Sequence, residues 1–153
     1  MNNEQLHLII NHLPITFIVL GFIVMVFGFI FKSDIVKRIA YMVFILGALF
    51  GFASFYTGEN AKQFVKGIKE FDERLLSQHE ESALAFLSLL YILGVISIFG
   101  LWANWQKKGF SKIIAFITIG FLLVVLYYGI QAGLTGGEIR HSEITKISNI
   151  KNT

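Results

Sequence analysis

No cysteine occurs among the 153 residues, so disulfides, thiolate metal ligands and thiol nucleophiles are excluded. Proline is almost as scarce: Pro14 is the only residue of its kind. Charged residues make up 15% of the chain against 55% hydrophobic ones. The net charge of +3 is spread over connecting segments without a basic helix, which argues against nucleic acid as a partner. Serine–histidine–aspartate order, a phosphate loop and a HExxH motif are all missing. Gly136-Gly137 lacks the spacing and the preceding strand of a phosphate-binding turn. Hydrolytic and nucleotide chemistry therefore find no footing.

What is present is long apolar blocks. A hydrocarbon layer about 30 Å thick needs about 20 apolar helical residues, and four blocks meet that length: 6–31, 39–57, 83–103 and 113–135. The chain reads as all-α, a polytopic membrane protein forming one four-helix transmembrane bundle over 1–153, with the lipid bilayer as its solvent. The first block lacks a basic start, carries Glu4 and His7, and is too long for a cleaved signal, so it is expected to be retained.

Four spans put both termini on one side with the 58–82 segment, the wide face. The opposite, narrow face has only 32–38 and 104–112. Six of the thirteen basic residues crowd into those two short loops, and nine of ten acids lie on the wide face. The positive-inside rule makes the narrow face cytoplasmic and the wide face periplasmic or extracellular, as in a bacterial inner membrane. Phe64, Val65, Ile68, Phe71, Leu75 and Leu76 recur at helical spacing, predicting an interfacial amphipathic helix over about 61–76. Ser77 and Glu80 have the form of a capping box that would start the third span. Gly47 and Gly51, with Gly94, Ser97 and Gly100, suit close helix packing within the bundle or between copies.

All four histidines fall on the wide face. An ionisable side chain is costly in hydrocarbon, so one found there has a partner and a purpose. His12 stands two residues before Pro14, whose ring crowds the Ile10 carbonyl and bends that turn. The bland alternative is that Asn11 and His12 only satisfy freed carbonyls. The other spans contribute Thr57-Gly58-Glu59, His79-Glu80-Glu81 and Gly136-Gly137-Glu138-Ile139-Arg140-His141. Facing imidazoles from two helices are how a bundle holds a b-type haem. His12 and His79 are the expected pair, His79 being kept neutral by the start of its helix. His7 and His141 form a second pair or support the first, Arg140 meets a propionate, and Glu59 and Glu138 orient rings and balance charge. The same residues, His7, His12, His79, His141, Glu59 and Glu138, suit a non-haem transition metal instead. Glu138 and His141 have a spacing found in di-iron bundles, but only once here and after a glycine pair that could end the helix.

The segment Leu6-His7-Leu8-Ile9-Ile10-Asn11-His12-Leu13-Pro14-Ile15, the histidine at the start of the third span and the Gly136–His141 segment together resemble the bacterial membrane family known as domain of unknown function 2231. Its members open with a His-Pro-x-Leu-Val-His-Phe-Pro-Ile-like run and close with a Gly-Gly-x-Leu-Val-Tyr-x-His-like run. His7, His12, Pro14, His79, Gly136, Gly137 and His141 correspond. Leu8 stands where the family often has proline, and Glu138-Ile139-Arg140 is less apolar than its counterpart. Relatives fused to c-type cytochrome or Rieske iron–sulfur domains imply redox company on the outer face. The combined expectation is a haem-binding electron carrier more than a stand-alone enzyme. A non-haem metal protein and a cofactor-free structural or partner-docking subunit are the alternatives.

Overall fold

Pro14 has no amide hydrogen to give the Ile10 carbonyl and its ring crowds that oxygen. In the computed structural model the first hydrophobic block is accordingly two helices, α1 (Asn3–Ile10) and α2 (His12–Ile30), interrupted at Asn11. The interruption is slight. Asn11 keeps helical dihedrals (φ −63°, ψ −21°), and its amide bonds the His7 carbonyl at 2.9 Å. Three long helices follow: α3 (Asp34–Val65), α4 (Glu73–Trp105) and α5 (Ser111–Lys151). The structure describes residues 3–65 and 73–151, with side chains placed for 7–60 and 73–139, and among the described residues there is no strand. Four stretches are long and apolar enough to cross a membrane: His7–Ile30, Asp34–Asn60, Glu73–Trp105 and Ser111–Ile139. The protein is an all-α, four-helix transmembrane bundle.

The helices form a ring in which α3 packs against α2 and α4, and α5 against α4 and, over less of its length, α2. α2 and α4 thus stand diagonally opposite. The core between them is apolar, with Ile18, Met25, Phe44, Leu90, Leu93, Leu122 and Val125 fully buried. Outward positions such as Val19, Ile23, Leu49, Val95, Ile98 and Ile117 are exposed and apolar, as lipid requires. Glycines let the backbones close in. A Cβ on Gly21 would lie 2.5 Å from Phe44 Cε1, and one on Gly100 would lie 2.5 Å from Tyr41 Cζ. Because the Tyr41 ring is wholly buried, Gly100→Ala is expected to destabilise the bundle by about 1–3 kcal/mol through overpacking. Thermal unfolding in detergent is the check, and Gly120→Ala, where an added Cβ meets nothing within 4 Å, is the control.

On the narrow face the turns α2–α3 and α4–α5 have one geometry. Lys32 and Lys107 each adopt φ 51°. The next amide bonds back five residues, Ser33 to the Gly28 carbonyl at 3.0 Å and Lys108 to the Ala103 carbonyl at 2.9 Å, the Schellman arrangement. Arg38 of α3 donates to Asn104 Oδ1 of α4 at 2.6 Å, and Asn104 donates to Asp34 at 3.4 Å, joining the two hairpins. Lys37, only 6% exposed, lays its stem across Gly28 and brings its amine 3.2 Å from Asp34.

Three sequence expectations change. α3 does not close at Thr57 but runs on to Val65, and α4 is already helical at Glu73. The described parts of 61–76 are therefore the ends of these two helices, and the middle of that stretch, 66–72, lies outside the described residues. Ser77 is an exposed residue within α4, not its N-cap; no glycine or proline lies between Glu73 and Ser77 to delay the helix. α5 does not end at Gly136-Gly137 but continues to Lys151. No glycine among the described residues has a positive φ, so neither member of the pair adopts the left-handed conformation that closes a helix.

Candidate functional site

The buried stripe of α2 falls on Pro14, Ile18, Gly21, Met25 and Gly28. Carried back seven residues from Pro14, about two helical turns, the same face reaches His7. His12, two residues from Pro14 and so about 200° around the axis, is exposed. α4 repeats the pattern, for His79 stands seven residues before Phe86, which with Leu93 and Gly100 is buried. The structure therefore turns His7 and His79 inward, both half-buried, and leaves His12 on the outside of the bundle, where its carbonyl accepts a hydrogen bond from Thr16 at 2.8 Å.

Each inward ring is held in the same way. His7 Nδ1 lies 3.1 Å from Thr57 Oγ1, and His79 Nδ1 lies 3.2 Å from Thr135 Oγ1. A hydroxyl has one proton to donate. Thr57 directs its proton to the Ala53 and Ser54 carbonyls at 3.0 and 3.1 Å, and Thr135 to those of Gln131 and Ala132, both at 3.1 Å. With that proton engaged, each threonine oxygen is an acceptor for Nδ1–H, and a backbone carbonyl also bonds each ring, that of Ser54 for His7 and that of Ala132 for His79; acceptors on this side of the ring favour the tautomer protonated at Nδ1.

The glycine after each threonine completes the seat. A Cβ on Gly58 would lie 3.1 Å from His7 Cε1, and one on Gly136 would lie 3.1 Å from His79 Cε1. Each imidazole brings Cε1 up to the glycine, where an added Cβ would make a contact tighter than ordinary van der Waals distance. Gly136 thus serves close approach and not helix termination. His79 is also six residues beyond the start of α4, outside the first turn over which a helix terminus acts on charge; Thr135 and Gly136 fix its ring instead.

Glu59 and Glu138 are exposed on the rim. Arg140 and His141 lie on α5, but their side chains are outside the described residues, so the suggested second pair of His7 with His141 is not described. Among the described residues no group of three His, Asp or Glu comes together as a metal site. Thr57 and Thr135 are the functional residues that reading the sequence for ligands passed over. Their signal is spacing: Lys32 lies 25 residues from both His7 and Thr57, and Lys107 lies 28 residues from both His79 and Thr135. Residues equally distant from the turn of an antiparallel helix pair meet at one depth. No protein-family model, curated protein or solved structure matches the chain.

Proposed function

We propose that the protein is a membrane electron carrier that holds a b-type haem through His7 and His79. The supporting observation is the pair of inward imidazoles, one from each of two diagonally opposed helical columns, each with Nδ1 at a threonine hydroxyl. The donor set fits this group: a porphyrin brings four nitrogens of its own and asks the protein for two, whereas a closed non-haem site needs more ligands than the described residues gather. Held in this way, the group supplies a one-electron ferric/ferrous couple. The polypeptide fixes the two rings, spares them competing side chains through Gly58 and Gly136, and backs them with an apolar core that excludes water. Thr57 and Thr135 hold the Nδ1 side of each ring, so that Nε2 would be the nitrogen each histidine offers to a bound iron.

The six basic residues of the narrow face favour that side as cytoplasmic. The histidine end then faces outward in a bacterial inner membrane, where a c-type cytochrome or an iron–sulfur protein is the class of partner that gives up or takes the electron. The resemblance of the Leu6–Ile15 and Gly136–His141 segments to domain of unknown function 2231 supports the same reading by association. The test is an absorption spectrum of the detergent-purified protein, oxidised and then reduced with dithionite, with an iron and pyridine-haemochrome assay on the same sample. A low-spin b-type spectrum with one haem per chain is expected. A featureless spectrum from cells with ample haem, with a stoichiometric divalent metal in the sample, would overturn the haem in favour of a non-haem centre.

A further inference from the structure

The two histidine seats are copies. In each half of the chain a histidine stands near the wide-face end of a descending helix, a lysine in left-handed conformation turns it, and a threonine–glycine pair on the ascending helix receives the histidine ring. The copies differ by three residues in the length of each arm, 25 in the first hairpin and 28 in the second, close to one helical turn. A change of equal length in both arms preserves the meeting of histidine and threonine. A second glycine lies six residues before each threonine: Gly51 admits Leu87 and Leu90 of α4, and Gly129 admits Ile15 of α2 and Phe86 of α4. Both are places where the two hairpins lock together.

We infer that Thr57 and Thr135 are the positioning residues of one duplicated site, each accepting the Nδ1–H hydrogen bond of its histidine so that each half of the molecule offers an unprotonated Nε2 to a single shared ligand. The inference rests on the haem reading for the identity of that ligand; the tautomer it assigns is a property of the chain alone. Removing either hydroxyl releases only the histidine it faces, because the two threonines stand on different helices and share no partner. Serine keeps the acceptor and the intrahelical donor bond, and valine keeps the shape and loses both.

The experiment uses the full chain, purified free of haem in detergent with 15N-labelled histidine, at a pH where the imidazoles are neutral. For His7 and His79 the expected spectrum has a protonated Nδ1 and an unprotonated Nε2. Thr57→Val disturbs this pattern for His7 alone, Thr135→Val does so for His79 alone, and Thr57→Ser and Thr135→Ser restore it. An Nε2–H form of either histidine in the unaltered chain overturns the inference, as does a valine variant that leaves its histidine unchanged. Haem is then titrated into the same samples. Each valine variant is expected to bind it about 10- to 100-fold more weakly, the usual effect of losing the hydrogen bond behind a metal-ligating histidine, with serine recovering most of the affinity. Equal affinity in all variants overturns the assigned role. A chain that keeps the tautomer pattern and takes up no haem supports the positioning role and overturns the haem reading, so the two failures are distinct.

Discussion

Replacing either His7 or His79 with alanine is expected to abolish the low-spin b-type spectrum, and replacing His12 with alanine to leave it intact. Loss of a hydrogen-bonding partner behind a ligand costs about 10- to 100-fold in affinity; loss of the ligand itself removes the bond and leaves an open coordination position. Both inward rings are half-buried beside helix glycines, and among the described side chains they are the two histidines turned inward. His12 occupies the exposed side of α2, and its replacement subtracts no contact from the interior. The measurement is the reduced-minus-oxidised spectrum at matched protein concentration, with helix content by circular dichroism to show that each variant is folded. Retention of the spectrum in His7→Ala together with its loss in His12→Ala would sink the assignment of the pair and restore the ranking based on proximity to Pro14.

That contrast shows where the sequence speaks and where it is silent. The four spans are legible because the bilayer asks for length and apolarity, and both are properties of composition alone. Helix ends are less so. Gly136-Gly137 has the composition of a stop signal, yet a helix in a bundle is held by its neighbours, and a glycine serves equally to end a helix or to admit an aromatic ring. Only the neighbour, here His79, decides between them. His12 draws attention because it is close to Pro14 along the chain, but what aims a side chain is helical phase. Pro14, Gly21 and Gly28 recur every seven residues and His7 continues that series, as Phe86, Leu93 and Gly100 continue from His79. The phase was present in the sequence, and so was the equal spacing of His7 and Thr57 about Lys32. Each becomes meaningful only when the turn is known to be centred on that lysine, and a positive φ at Lys32 and Lys107 is a conformation lysine seldom signals.

The second large effect separates seat from scaffold on a single helix. Gly136→Leu is expected to eliminate haem binding, while Gly137→Leu leaves it unchanged. Both substitutions replace glycine within α5, and in a helix interior leucine is favoured over glycine by up to about 1 kcal/mol, so the two variants share the same effect on intrinsic helix stability. They differ in what the new side chain meets. At 137 a Cβ encounters nothing within 4 Å; at 136 it would lie 3.1 Å from Cε1 and 3.4 Å from Nδ1 of His79. The branched remainder of leucine must occupy space that the ring now fills, so the imidazole leaves the Thr135 hydroxyl and with it the orientation that presents Nε2. Gly58→Leu displaces His7 by the same argument, with 3.1 Å from the added Cβ to Cε1. The check is haem stoichiometry of the three purified variants beside their thermal unfolding in detergent. Equal haem content in Gly136→Leu and Gly137→Leu would mean that contact with the helix backbone does not hold the ring in place. Full occupancy at 137 and none at 136 and 58, with all three bundles intact, would mean that each imidazole depends on the glycine beneath it.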